Sequence, residues 1–275
     1  MYNSIGMVIS DELVASELIK YILQEYSGVE IKILADIGNL HRINNVFQSN
    51  CAFVSLEEIL ETECIIVLTD VGVFVNEFNS YPKKIIDFTG HLKKIDNNGN
   101  VHSVLDPISY IINLLFLDID NISGNIYLPL AVFGKAGIDE LISQTKNVFN
   151  FINNKKRYLD VNMPFNVIFL DNCRGSVIKN YVAYIRKQIP PSFSLRLIPV
   201  MTGIIADFFY SYNNEPDLSN IELTDDGVDM VNLISREKII GIHNSNSATL
   251  TVIADYIYII IKQIMDILKN EDTTK

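Results

Sequence analysis

The sequence predicts an α/β protein with an N-terminal domain on a parallel sheet and a second domain of α+β type. Short apolar runs rich in β-branched residues alternate with amphipathic segments over residues 1–120, the signature of βαβ units. Beyond residue 120 the apolar runs lengthen and helices become fewer. With 275 residues and 48% hydrophobic content, the chain can build a core in each part.

The elements follow in order. Ile5–Ile9 is a strand, and Val14, Leu18, Ile19, Ile22 and Leu23 give Leu13–Leu23 helical periodicity. Ile31–Leu34, Cys51–Val54, Ile65–Leu68 and Ile85–Phe88 are further strands, each closed by a polar or turn residue. Asp96–Asn100 is a turn cluster, and a helix over Ile108–Leu117 follows Pro107. Asp118–Asn125 marks a boundary. Ile126–Phe133 then predicts a longer strand, Gly137–Phe151 a helix and Val161–Leu170 a strand. Ser176–Ile189 is an amphipathic helix stopped by Pro190 and Pro191, with long strands over Leu195–Met201 and Ile204–Tyr212. The domains are therefore 1–120 and 121–251, with a helix over 252–270 packing back on the first. An open sheet in the second domain predicts a homodimer formed by pairing its exposed face with a second copy.

Composition excludes several classes. A net charge of −11 and a pI near 4.8, spread along the chain, oppose a nucleic-acid partner, which needs a clustered basic face. The one basic run, Lys155-Lys156-Arg157, reads as a solvated loop. The cysteines Cys51, Cys64 and Cys173 lack C-x-x-C spacing, and the first two lie in apolar runs as core thiols, which fits a reduced, cytoplasmic protein. The first lysine is Lys20, so no basic secretory n-region opens the chain. Val252–Leu268, the most apolar stretch, is interrupted by Asp255, Lys262, Gln263 and Asp266 and reads as a buried helix, not a membrane span. No metal-ligand spacing is present.

The join between the first strand and helix has the layout of a dinucleotide-binding, Rossmann-like turn without its glycines. That turn carries G-x-x-G-x-x-G so that the backbone can approach a pyrophosphate. Here it reads Ile9-Ser10-Asp11-Glu12-Leu13-Val14-Ala15, with a β-branched side chain, a carboxylate and a methyl at the glycine positions. Glu12 sets a negative charge where a pyrophosphate would lie, and Ile9 resists a turn with φ > 0. Asp36 is the remaining residue able to bond a ribose hydroxyl.

Several strings in one order resemble the aspartate-semialdehyde dehydrogenase family. IGMVISDELVASELIKYIL aligns without gaps on that family's first strand, turn and helix. CIIVLTDVG and KKIIDFTGHLKK resemble its fourth strand and V-I-D-x-S segment. LPLAVFGKAGIDELISQT resembles the entry of its dimerisation domain, with Gly134, Gly137, Glu140, Leu141 and Gln144 in register. MPFNVIF and LRLIPVMTG are similar to its A-F-N-x-I-P and R-I-P-V strands. The resemblance spans most of residues 1–210.

The resemblance implies an NADP-dependent aldehyde oxidoreductase of amino-acid biosynthesis, with a cysteine nucleophile, a histidine base, an orienting glutamine and arginines for phosphate and carboxylate. The residues at those positions differ. The family's N-P-x-C falls on Asp106-Pro107-Ile108-Ser109, which puts a serine in place of the thiolate. The histidine position falls on Ile204 and the strand arginine on Leu197, with Arg196 one place away. No glutamine lies on Ile126–Phe133, and Lys93 replaces a phosphate-holding arginine. Of four histidines, His41, His102 and His243 lie in polar loops, and His91 follows Gly90 at a strand end.

These substitutions predict a non-catalytic relative that keeps the fold and the dimer, with no cofactor, and with NADP only if the family function persists. Two alternatives stand beside it. One is an active NAD(P)-dependent dehydrogenase with a relocated nucleophile, using NAD through Asp36. The other is a carboxylate-binding module in which Lys93, His91 and Arg196 form a cationic site.

Overall fold

Ser4–Ile9 (β1) is buried along both faces from Ile5 onward, as expected for the centre of a parallel sheet covered on each side. The computed structural model describes residues 2–35, 51–69, 75–90, 92, 100–154, 158–173, 175–224 and 238–270. The chain forms two compact units, Met1–Leu105 with Ile260–Lys275, and Asp106–Ile259.

In the first unit, β1 is followed by Glu12–Glu25 (α1), Glu30–Ala35 (β2), Cys51–Phe53 (β3), Leu56–Leu60 (α2) and Cys64–Val67 (β4). Val75–Asn79 (α3), Lys84–Asp87 (β5) and Val101–Ser103 (β6) complete it. The strands run parallel in the order β3-β2-β1-β4-β5-β6, the doubly wound order with its reversal between β1 and β4. Ser55 starts α2 with a capping box closed by Glu58. The C-terminal segment is tied to this unit by polar clips. Lys84 Nζ donates to the Ile267 carbonyl at 2.7 Å, and Gln263 exchanges two hydrogen bonds with the Leu105 backbone.

The second unit opens with Pro107–Leu115 (α4) and Ser123–Leu128 (β7). Gly134–Phe149 (α5), Ile168–Phe169 (β8), Ser176–Ile185 (α6), Phe193–Leu197 (β9) and Gly203–Phe209 (β10) follow. Glu222–Leu223 (β11), Ile240–Asn244 (β12), Thr249–Asp255 (β13) and Tyr256–Lys269 (α7) close the chain. The sheet order is β11-β12-β13-β10-β7-β9-β8, with mixed strand directions. One face is core, lined by Ile126, Leu128, Leu195, Leu197, Ile204, Ala206 and Phe208. The alternate residues, among them Tyr127, Arg196, Asp207 and Phe209, stay partly exposed on the other face.

Three expected elements differ. The strand expected over Ile126–Phe133 stops at Leu128; Pro129 cannot continue the ladder, and Leu130–Phe133 is a 3-10 turn ended by Gly134 at φ +66°. The strand expected over Val161–Leu170 is paired only at Ile168–Phe169. The segment before it is fixed by side chains instead. Glu140 Oε2 accepts from the Tyr158 and Leu159 amides at 2.6 and 2.7 Å, and Gln144 Oε1 accepts from the Met163 amide at 2.9 Å. Finally, the helix expected from Val252 begins only at Tyr256. Val252–Asp255 belongs to β13, between β10 and β12, where an unbroken apolar run carries no periodicity to separate strand from helix. Asp255 ends the strand and caps the helix, Oδ1 accepting from the Tyr258 amide at 2.9 Å.

Gly124 marks the tightest backbone approach in this sheet: a Cβ there would lie 1.9 Å from the Asp207 carbonyl oxygen across the β7–β10 pair. Gly124→Ala is expected to lower the urea midpoint by an amount equivalent to about 3 kcal/mol. An unchanged midpoint would contradict this register. Glu140→Gln is expected to cost about 2 kcal/mol in the same assay, because two charge-assisted amide bonds lose their acceptor charge.

Candidate functional site

In the first unit, the candidate positions lie in the turn after β1. Ile9 is buried as the last residue of β1 and has no positive φ; the non-glycine residues with φ > 0 among those described are Phe151, Phe165 and Ala248. The turn therefore adopts a path that Ile9 accommodates, contrary to the strain expected from the glycine pattern. Ser10 Oγ accepts from Thr69 Oγ1 at 2.8 Å, tying the turn to the segment after β4. Asp11 is the N-cap of α1, and its carboxylate accepts from the Leu13 amide at 2.7 Å. Glu12 lies in the first helical turn, with Oε2 buried and unpartnered. The positive end of α1, where the dinucleotide-binding layout receives a pyrophosphate, thus carries two carboxylates of the chain itself. Asp36, His91 and Lys93 lie outside the described residues.

At the neighbouring strand end, Asp87 is fully buried and organises its own loop. Oδ1 accepts from the Thr89 amide and hydroxyl at 2.8 and 2.6 Å, and Oδ2 accepts from the Leu92 amide at 2.9 Å. The part of the I-D-F-T-G string that resembles the family is thus a loop clip.

In the second unit, the candidate positions centre on the first turn of α4. Asp106 is its N-cap, with Oδ1 accepting from the Ile108 amide at 2.9 Å and Pro107 at the first helical position. Asp106 is 1% exposed and Ser109, one turn on, is 3% exposed. Asp106 Oδ2 and Ser109 Oγ are both buried with no hydrogen-bond partner, and so is the Tyr181 hydroxyl on α6. Burial pushes the Asp106 carboxyl up to about 7, against the smaller opposing effect of the Ile108 amide. Desolvation, reinforced by the Asp106 charge, holds the Tyr181 and Tyr256 phenols well above their ordinary range. Ser109 has no hydrogen bond to a base, so nothing in this arrangement activates it as a nucleophile.

Ile204 and Arg196 do not share a face. Leu197 pairs with Leu128 across β9 and β7, and Ile205 pairs with Tyr127 across β7 and β10. The next step of that register sets Leu128 against Ile204. Leu197, Leu128 and Ile204 thus form one row on the core face, each without exposed surface. Arg196 points to the opposite face with Tyr127, by the strict alternation of a strand. Its Nη1 donates to Tyr127 Oη at 2.8 Å, and its guanidinium packs over the Tyr127 and Phe169 rings at 5.2 and 5.0 Å. No group of three His, Cys, Asp or Glu able to hold a metal occurs among the described residues, and none of their helices is long and apolar enough to cross a membrane.

No protein-family model matches the sequence, and comparison with curated proteins finds no match. Solved structures do match. Aspartate semialdehyde dehydrogenase II from Vibrio cholerae is similar at TM-score 0.73 and 16% identity, covering 98% of each chain. The same enzyme complexed with ASA gives TM-score 0.72 and 14% identity at the same coverage. A probable aspartate-semialdehyde dehydrogenase from Pseudomonas aeruginosa gives 0.72 and 12%, again over 98% of each chain. The chain has the aspartate-semialdehyde dehydrogenase fold. Within it, the positions singled out by the sequence fall on a capped turn, a buried serine, an apolar row and an engaged arginine.

The sequence reading passes over two members of the buried polar cluster. Tyr181 and Tyr256 look like ordinary residues of apolar helices, and only the placement of α6 and α7 brings their phenols within reach of the Asp106 charge.

Because the Asp106 carboxyl binds its proton more tightly in the folded than in the unfolded state, its contribution to stability is greatest at acid pH. That contribution is lost as pH rises from about 4 through about 7. Asp106→Asn keeps the cap acceptor and removes the titration. The variant is expected to match the wild type near pH 4 and exceed it near pH 8 by on the order of 3 kcal/mol. Urea midpoints across this range check it; parallel pH profiles for the two proteins would contradict the assignment.

Proposed function

We propose that this chain is a non-catalytic, homodimeric relative of the aspartate-semialdehyde dehydrogenases, serving as a partner or assembly protein. The observation that carries this reading is the dry row Leu197–Leu128–Ile204. By the resemblance, two of its three members stand where an arginine and a histidine would hold substrate and accept a proton. Fully buried aliphatic side chains do neither, and their packing now contributes to the core.

The cysteines supply no substitute. Burial raises the Cys51 and Cys173 thiols, which is the wrong direction for a thiolate nucleophile, and Cys64 is fully buried in β4. The carboxylates at the N-terminus of α1 likewise oppose a dinucleotide pyrophosphate. A thermal melt with millimolar NADP or NAD is expected to show no stabilisation. A saturable rise in Tm with either nucleotide would overturn this part of the reading.

The dimer is proposed to form through the half-exposed face of the second sheet, which carries Tyr127, Arg196, Phe209 and the edge residue Phe169. Phe209 and Phe169 are 45% and 52% exposed, a large apolar area for one sheet face. Sedimentation is expected to give a species of twice 31.1 kDa. Phe209→Arg, on that face and outside the core, is expected to shift it to monomer; a monomeric wild type would contradict the proposal.

A further inference from the structure

We infer that the exposed aromatic end of α5 is a peripheral contact for an anionic phospholipid surface. This goes beyond the proposed function and does not depend on it, because attachment to a surface requires no chemistry at the site positions.

The backbone at this end is strained to display an aromatic side chain. α5 closes in a Schellman turn with Asn150 as its C-cap: the Phe151 amide donates to the Val148 carbonyl at 3.1 Å and the Ile152 amide to the Asn147 carbonyl at 2.8 Å. Phe151 thereby sits at φ +54°, the place in this turn that glycine usually fills because an L side chain is strained there. The side chain returns nothing to the fold, since Phe151 is 99% exposed. Phe165 repeats the pattern at φ +60° and 71% exposure, and its ring meets that of Phe149 edge-on with centroids 5.9 Å apart. Phe149 and Ile152 are themselves 68% and 57% exposed. Gln144 fastens the segment that carries Phe165 to α5, accepting from the Met163 amide at 2.9 Å and donating to the Val161 carbonyl at 3.1 Å. Four large apolar side chains are thus held outward at a cost in stability, which marks a contact with something outside the chain.

Charge selects the partner. Residues 141–170 carry Lys146, Lys155, Lys156 and Arg157 against one acid, Asp160, in a chain whose net charge is −11. Lys146 is exposed in the last turn of α5, one turn before Phe149. Residues 155–157 lie outside the described residues and count by sequence alone, as the run that directly follows Asn154. Phenylalanine and isoleucine flanked by lysine and arginine suit a bilayer interface. The apolar side chains enter the boundary between headgroups and acyl chains, and the cations stay with the anionic headgroups. A second copy fits less well, because a two-fold contact through this patch would set the same cations against each other. The contact is peripheral, since none of the described helices is long and apolar enough to cross a membrane.

The test is flotation of the full chain with vesicles of pure phosphatidylcholine, or of phosphatidylcholine containing about one-third phosphatidylserine, at about 0.1 M and about 1 M salt. Binding to the mixed vesicles is expected at the lower salt, and at least about tenfold weaker binding to pure phosphatidylcholine or at the higher salt. Lys146→Glu is expected to weaken binding to the mixed vesicles at least about fivefold. Phe151→Gly relieves the strained φ, so it is expected to melt no lower than wild type while binding several-fold more weakly. The chain contains no tryptophan, so Phe151→Trp supplies a single reporter whose emission is expected to move to the blue with the mixed vesicles only. The proposal is overturned by no flotation with the mixed vesicles, by equal flotation with both lipids, or by a Phe151→Trp emission unmoved by vesicles that bind. Undiminished binding in Phe151→Gly or Lys146→Glu also overturns it. So does a lower oligomeric mass of vesicle-free Phe151→Gly, which assigns the patch to a contact between copies.

Discussion

At the start of α1 in the first unit and of α4 in the second, a carboxylate of the chain itself closes the helix N-terminus, and the character of each set of candidate positions follows from that. Asp11 caps α1 through the Leu13 amide, and Asp106 caps α4 through the Ile108 amide. A helix N-terminus offers unpaired amides and a partial positive charge, which is what makes it useful for phosphate or for a thiolate. An aspartate at that position takes up one of the amides and sets a carboxylate against the helix's positive end. The same interaction that starts each helix removes its capacity for an anionic ligand. In α4 it leaves a second carboxylate oxygen buried and unpaired, and burial pushes that carboxyl up to about 7.

The frame around these caps is held by polar clips that have nothing to do with chemistry. Glu140 and Gln144 pin the segment from Tyr158 to Met163, and Asp87 folds its own loop through Thr89 and Leu92. Such buried acceptors are expensive to lose because their amide partners would be stranded. The core face of β9 and β10 carries Leu197 and Ile204, both fully buried. Leucine and isoleucine at those places fill the sheet core as well as any residue.

Much of the first unit was legible because a doubly wound sheet repeats short β-branched runs, and the central ones, β1, β4 and β5, are buried on both faces. The second unit was legible in its helices and less so in its strands. Val252–Asp255 and Tyr256–Leu268 form one nearly continuous apolar string, and the change from strand to helix is marked by the local Asp255 cap and by the pairing of Val252–Asp255 with β10. The segment before Ile168 reads as strand by composition, yet side chains of α5 satisfy its backbone. The choice of Ser109, Ile204 and the turn from Ile9 to Glu12 rests on the resemblance, and Arg196 fell on the face that strand alternation requires. The buried Tyr181 hydroxyl was not legible, since nothing local in the sequence distinguishes this residue from any other helix tyrosine. Asp36, His91 and Lys93 lie outside the described residues.

The central claim is that the fold has been kept without the thiolate reaction. Its most direct test is turnover by the pure protein, followed as NADPH formation from aspartate semialdehyde, phosphate and NADP. The account predicts no rate above that of a no-protein control, since Ser109 has no hydrogen bond to a base and burial raises the Cys51 and Cys173 thiols. A rate proportional to protein concentration would contradict it.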